Sequence, residues 1–231
     1  MKKLKILFED KNLLVVYKDG NIPTINSEKY SKSLYNEVYD YLHKKNQKVF
    51  VVHRLDKDTS GLVMFAKNER VKEVLQDNWE NVRRKYIALV HGIIKEDGVI
   101  KSYLKETKTL LTYSTNDKSG KYAETIYKRL KYNKQYSLVE IEIRTGRKNQ
   151  IRVHMADNKT PILGDKKYGK KDGYRKMMLL ANELEFNHPV TKEHINIKLD
   201  IPNEYKKVVE NEWKEDIHCF NTNLYNISKN N

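Results

Sequence analysis

Apolar residues fall in short runs along the chain, and the spacing within each run predicts its element. Residues 5–8 and 13–17, the latter "LLVVY", read as a hairpin pair of strands. A loop with Gly20 and Pro23 follows over 18–29. In "SKSLYNEVYDYLHKK", Leu34, Val38, Tyr41 and Leu42 recur at helical spacing, which predicts a helix over 31–45. Strands are expected near 49–53 and 61–66. A short helix in "ERVKEVLQDNW" then buries Val71, Val74 and Leu75, and a strand in "RKYIALVHG" stops at Gly92. The stretch 98–145 reads as β. Its clearest part alternates Val139, Ile141 and Ile143 with Glu140, Glu142 and Arg144, so one face is buried and one is wet. Thr145-Gly146 ends that strand, and "RKNQIRVHMADN" continues as a helix with Ile151 and Met155 inward. Strands near 177–186 and 194–199 and a last helix around 204–214 complete the series. Strands and helices mix without strict βαβ alternation, which predicts an α+β fold with a mixed, largely antiparallel sheet and flanking helices. No composition break divides the chain. A single domain is expected over 1–216, with a loosely held polar tail over 217–231 and no separate RNA-binding module of the S4 type before Leu4.

Composition narrows the class. The 231 residues are 39% hydrophobic, enough for one sizeable core. No apolar run has the length of a membrane span, and "MKKLKILFEDKN" lacks the apolar stretch of a signal peptide. The lone cysteine, Cys219, excludes an intramolecular disulfide framework and a cysteine zinc site. A soluble, cytoplasmic protein is the resulting expectation; the sequence does not encode the oligomeric state in any readable pattern, and a monomer without an obligate protein partner is the simplest expectation. Lys plus Arg number 45 against 31 Asp plus Glu, a formal charge of +14. Such an excess suits a polyanionic partner, and it equally suits a lysine-rich proteome.

Candidate chemistry concentrates in three places. "HRLDKDTSG", 53–61, sets Asp56 and Asp58 among cations between two buried strands. A carboxylate held there could act as nucleophile or base, while Asp, Thr, Ser and Gly also make ordinary turns. His53, Asp56, Asp58, His91 and His154 are conceivable metal ligands, but no pair has the spacing of a ligand motif. In "RTGRKNQIRVH", Arg144, Arg147, Arg152 and His154 surround a strand-to-helix turn that would suit phosphate or a carboxylate, or is simply a basic helix start. In "DKKYGKKDGYRK", Lys166, Lys167, Lys170, Lys171, Arg175 and Lys176 alternate with Tyr168 and Tyr174. A flexible loop of this kind suits a phosphate backbone with unstacked bases, or is a solvated lysine loop.

Taken together, the ordered motifs resemble one family. "VVHRLDKDTSGLVMFAKN" closely resembles the catalytic segment of the RluA-type RNA pseudouridine synthases. "ILFEDKNLLVVYKDG" resembles that family's opening strands, "RKYIALVHG" its tyrosine motif, and "TGRKNQIRVHMA" followed by "TPILGDKKYG" its third motif. "LEFNHPVTKE" resembles its closing strand segment. In order, these cover roughly residues 5 to 205. Three positions depart. Lys18-Asp19-Gly20 stands where the family usually has Lys-Pro-Ala-Gly, Asn149 where it commonly has His, and "LLAN" where it often has a His-Ala pair.

The resemblance implies a catalytic domain with a central cleft and the isomerisation of uridine to pseudouridine in ribosomal or transfer RNA. No metal or organic cofactor is implied. It casts Asp56 as nucleophile, Arg152 as the cation that keeps it ionised, and Tyr86 as the residue against the uracil. Arg54 helps extrude the base. Arg147, Lys166, Lys167, Lys170 and Lys171 are candidate RNA contacts, and Asp58 is assigned to orienting its loop. The carboxylate could attack C1′ or take the 2′ proton, and the sequence leaves both routes open. Two rivals are a catalytically inactive RNA-binding protein or chaperone on the same fold, and a metal-dependent nuclease.

Overall fold

The protein is described from a computed structural model covering residues 4–210. In chain order the elements are β1 (Ile6–Glu9), β2 (Leu13–Lys18), α1 (Leu34–His43), β3 (Phe50–Val51), β4 (Ser60–Ala66), α2 (Glu69–Asp77) and β5 (Arg83–His91). Then come β6 (Gly98–Glu106), β7 (Thr112–Thr115), β8 (Lys121–Tyr132), β9 (Tyr136–Ile143), α3 (Gln150–Asp157), β10 (Leu179–Asn187), β11 (His194–Lys198) and α4 (Asn203–Glu210). The α+β expectation holds, and the strand pairs named below are antiparallel. Among the described residues no helix is long and apolar enough to cross a membrane. The last residues of the helix expected to 214, and the tail expected over 217–231, lie outside the described residues.

The chain forms two compact units. The first comprises residues up to Arg83 together with Ala181–Leu199. Its hairpin β1–β2 turns on Asp10, whose Oδ1 accepts the N–H groups of Asn12 and Leu13 at 2.7 and 2.6 Å. Strand β2 pairs with β4 from Leu13↔Ala66 to Lys18↔Gly61. Both are buried on both faces, which is why each reads as a continuous apolar run instead of an alternation. Helix α1 buries Leu34, Val38 and Leu42. Tyr41, read as part of that stripe, lies at its edge and donates its hydroxyl to Glu9 Oε2 at 2.6 Å. Helix α2 starts on Asn68, whose Oδ1 accepts the Val71 N–H. Strand β3 is only two residues long, shorter than the 49–53 expected, because the chain leaves the ladder before His53 to build the loop described below.

Residues Arg84–Leu180, with the described residues 200–210, make the second unit. Its strands run in the order β5-β9-β8-β6-β7. The alternation read in the sequence of β9 is observed: Val139, Ile141 and Ile143 are buried, and Glu140 and Glu142 are half-buried. Helix α3 packs on this sheet through Val153 against Leu104 and Ala123, with Tyr168 alongside. It is buried from Gln150 to Met155, not only at Ile151 and Met155.

Candidate active site

Asp56 sits in the loop between β3 and β4, in the first unit, and both of its chain neighbours are held by their backbones. On one side the buried Thr24 hydroxyl accepts the Leu55 N–H at 3.1 Å and donates to the Leu55 carbonyl at 3.0 Å. On the other side the Lys57 carbonyl accepts from Lys18 Nζ at 2.9 Å. A turn follows, with the Thr59 N–H donating to the Asp56 carbonyl at 3.2 Å. The loop is therefore fixed around a half-buried carboxylate.

Lys18 is the residue that the sequence reading missed. It closes β2 and is fully buried. Its ammonium donates to three backbone carbonyls: Lys57, Asp19 at 3.0 Å and Ile22 at 2.7 Å. Burial pushes its pKa down to about 8, against the opposing pull of the Asp58, Asp56 and Asp19 carboxylates. A buried cation thus acts on Asp56 from within its own unit. Its three partners explain how such a charge is tolerated. The only signal for it in the sequence is a lysine at the end of an otherwise buried run, and lysines are seldom fully buried.

The other members of the loop divide between support and surface. His53 Nε2 accepts the Met64 N–H at 3.0 Å, and its ring stacks on Trp79 at 4.6 Å. Lys57 donates to the Tyr30 hydroxyl at 3.1 Å, which raises its pKa, while its own carbonyl faces Lys18. Arg54 is exposed. Gly61, the last residue of "TSG", has φ +122°, and a Cβ there would lie 2.2 Å from the Ala181 carbonyl oxygen. Gly20 packs on the loop as well: a Cβ there would lie 3.0 Å from the Asp58 carbonyl.

Tyr86, Arg147, Arg152 and the lysine-rich loop belong to the second unit. Tyr86 lies on β5 opposite Ile141, 9% exposed. Two residues before it, Arg84 is buried and donates Nη2 to the Arg144 carbonyl at 3.3 Å. Burial lowers the pKa of Arg84, and Tyr86 opposes that effect. Arg84 supports the turn between β9 and α3, a role the sequence reading also missed.

That turn is stitched by Gln150. Its Oε1 accepts the Thr145 hydroxyl at 2.7 Å and the Arg147 N–H at 3.0 Å. Its Nε2 donates to the Glu124 carbonyl at 2.9 Å and to Thr125 Oγ1 at 3.0 Å. Arg147 is exposed and donates Nε to the Tyr122 carbonyl at 2.9 Å. Asn149 stands in the left-handed region at φ 54°, which asparagine tolerates, so α3 begins at Gln150 and not at Arg147.

Arg144, Arg147, Arg152 and His154 are not gathered into one anion site. Arg152 is 5% exposed and forms a two-pronged pair with Asp165, Nε to Oδ2 at 2.8 Å and Nη2 to Oδ1 at 2.7 Å. Burial alone would raise the pKa of Asp165; the Arg152 pair and the N–H groups of Tyr168 and Lys167 outweigh it and lower it. His154 is fully buried between Ser102 Oγ at 2.9 Å and Thr125 Oγ1 at 2.8 Å. Burial pushes its pKa down to about 4, so it is a neutral structural residue at physiological pH.

The lysine-rich loop is anchored at several points instead of flexible along its length. Asp165 is bound to Arg152. Asp172 accepts the Gly164 N–H at 2.8 Å and faces His91 Nε2 at 2.9 Å. The Tyr168 hydroxyl accepts the Thr112 N–H at 3.0 Å. Tyr168 is thus an anchor, while Lys166, Lys167, Lys170 and Lys171 point outward and are exposed. Lys167 also donates to the Leu110 carbonyl at 2.8 Å.

Comparison with known proteins bears on these motifs. Residues 12–157 match the sequence profile of the family described as RNA pseudouridylate synthase. The RNA pseudouridine synthase YlyB of Bacillus subtilis (strain 168), called uncharacterized in its name, is 40% identical over 166 residues. That match covers 70% of this chain and 55% of YlyB. The ribosomal large subunit pseudouridine synthase C of Rickettsia bellii (strain RML369-C) is 34% identical over 212 residues, covering 88% of this chain and 70% of the relative. The solved structure of human RNA pseudouridylate synthase domain containing 4 has the same fold, with a TM-score of 0.75 at 23% identity. That superposition covers 89% of this chain and 92% of the human one. The chain belongs to the RNA pseudouridylate synthase family, whose members are isomerases acting on RNA.

Proposed function

We propose that this protein converts uridines of ribosomal or transfer RNA to pseudouridine, with Asp56 as the group that acts on the sugar. The N1–C1′ bond breaks, the uracil turns, and C5 bonds to C1′. C5 gives up a proton and N1 gains one, so nothing is oxidised, reduced or hydrolysed, and neither metal nor organic cofactor is required. Asp56 either attacks C1′ or takes the 2′ proton. Tyr86 lies against the base and takes part in removing the C5 proton. Arg152 supplies directed N–H donors that favour the ionised carboxylate.

The observation that carries this reading is the double fixation of the Asp56 loop, with Leu55 bound to Thr24 and Lys57 to Lys18. An ordinary solvated turn has no use for a fully buried lysine beneath it; a carboxylate that must keep one geometry does. The exposed Arg54 is suited to displace the target base, which costs a few kcal/mol and least in a loop or single strand. The exposed lysines at 166, 167, 170 and 171, with Arg147, are suited to phosphates, and the charge of +14 supports a polyanionic substrate.

Release of tritium from RNA labelled at uridine C5 tests the proposal. The purified protein should release it from unmodified ribosomal or transfer RNA, with and without a chelator. No release from any of these RNAs would refute the assignment, and release that stops in chelator would return a metal to the mechanism.

A further inference from the structure

Arg152 is almost wholly removed from solvent, so its orientation is set by the protein around it. Asp165 takes Nε and Nη2 in a planar fork, and Asn149 Oδ1 takes Nη1 at 3.1 Å. The Tyr168 ring lies 5.2 Å from the guanidinium carbon. Each holder is itself held. Asp165 Oδ1 accepts the N–H groups of Lys167 and Tyr168 at 2.8 and 3.0 Å. Asn149 Nδ2 donates to the Tyr168 hydroxyl at 3.2 Å, and that hydroxyl also accepts the Thr112 N–H. The ring of contacts closes through three chain segments: β7, the start of α3 and the beginning of the lysine-rich loop.

Stability alone is a poor reason for such an arrangement. A buried ion pair is often no better for the fold than apolar residues of the same size. What the fork, the amide and the ring do supply is a guanidinium plane that cannot turn. Asp165 also cancels the net charge of Arg152, so the pair presents aimed N–H groups instead of a diffuse positive field. The identity of residue 149 fits this picture. An amide has both an acceptor for Arg152 and a donor for Tyr168, and it does not titrate near neutral pH.

We propose that Asp165, together with Asn149 and Tyr168, is a positioning set for Arg152: it touches no substrate and acts by fixing the plane of the guanidinium. This rests on the role given to Arg152 under Proposed function. It makes 165–168 a dual segment, since the same residues that hold Arg152 flank the exposed Lys166 and Lys167.

The test compares Asp165→Asn, Tyr168→Phe, Arg152→Met and the double variant Asp165→Asn/Arg152→Met. For each, kcat and KM for tritium release are measured, with the melting temperature and, by NMR, the exchange rate of the Arg152 Nε proton. Asp165→Asn should lower kcat by about 10²-fold while KM stays within about threefold, as expected for a misaimed group. Its Arg152 Nε proton should exchange faster than in the parent. In the double variant the loss should stay close to that of Arg152→Met alone, because the two residues act as one unit. Tyr168→Phe removes one hydroxyl, should fold whatever becomes of Asp165→Asn, and should lower kcat by about fivefold. Parental kcat in Asp165→Asn or in Tyr168→Phe, or losses that multiply in full in the double variant, would overturn the positioning set. If Arg152→Met is slow and Asp165→Asn is fast, the positioning set fails alone. If Arg152→Met works at full rate, the role of Arg152 fails and the set fails with it.

Discussion

Replacing Lys18 with methionine keeps an unbranched side chain of similar bulk and removes the ammonium. Three carbonyls, those of Asp19, Ile22 and Lys57, then lose their donor inside the protein. Hydrogen bonds to a charged group contribute about 1.5–3 kcal/mol each, so the three together stabilise by roughly 5–9 kcal/mol. Keeping the buried lysine charged opposes this: the fall in pKa from 10.5 to about 8 corresponds to about 3 kcal/mol against the charged form. The difference leaves Lys18→Met less stable by about 2–6 kcal/mol at pH 7.

The same pKa sets the pH dependence. Between about pH 8 and 10.5 the unfolded chain holds the Lys18 proton more tightly than the folded one. The contribution of this group to stability therefore rises with pH across that window, as the penalty on the buried charge is relieved. Urea unfolding of both proteins at pH 7, 8, 9 and 10 reads the difference directly, because other titrations cancel to first order. The gap should widen with pH. A gap below about 1 kcal/mol at pH 7, or one that narrows on going alkaline, would refute the reasoning.

Gly61→Ala should fail to give folded protein, or should cost more than about 3 kcal/mol, because its Cβ would collide with backbone at a φ that alanine avoids; a melting temperature near the parent's would contradict this. Thr24→Val removes both hydrogen bonds to Leu55 and should cost about 2 kcal/mol, with a fall in kcat larger than the change in RNA affinity; steady-state kinetics beside a thermal melt separates the two effects. Changing Lys166, Lys167, Lys170 and Lys171 to glutamine should weaken RNA binding and reduce the slope of log K against log salt by up to about 3; an unchanged slope would make them solvated surface. Acidification should destabilise the fold between about pH 6.5 and 4, where the unfolded chain protonates His154 and the folded one resists, and His154→Gln should remove that share.

Element types were legible in the sequence because the buried strands are uninterrupted apolar runs and β9 alternates. Positions of ends were less so. Helix α3 starts late because Asn149 takes a left-handed conformation that periodicity does not reveal, and β3 is short because His53 leaves the ladder to accept the Met64 N–H. Asp56 and Arg152 stand out as candidates by charge and position, while Tyr86 and the role given to each of the three come only from the resemblance. What stayed hidden was the support around them. Lys18, Arg84 and Asp165 are charged residues whose partners are backbone groups or lie far along the chain, and composition places such residues at the surface. The loop at 165–176 read as flexible for the same reason, since its anchors are contacts with Arg152, Thr112 and His91.

The most direct measurement is a map of pseudouridines in unmodified ribosomal and transfer RNA after incubation with the parent protein or with Asp56→Asn, alongside RNA affinity for both. The parent should modify discrete uridines. Asp56→Asn should modify them at least about 10³-fold more slowly while binding RNA with a Kd within about threefold of the parent's. Pseudouridine formed at a comparable rate by the variant, or none formed by the parent, would contradict the account.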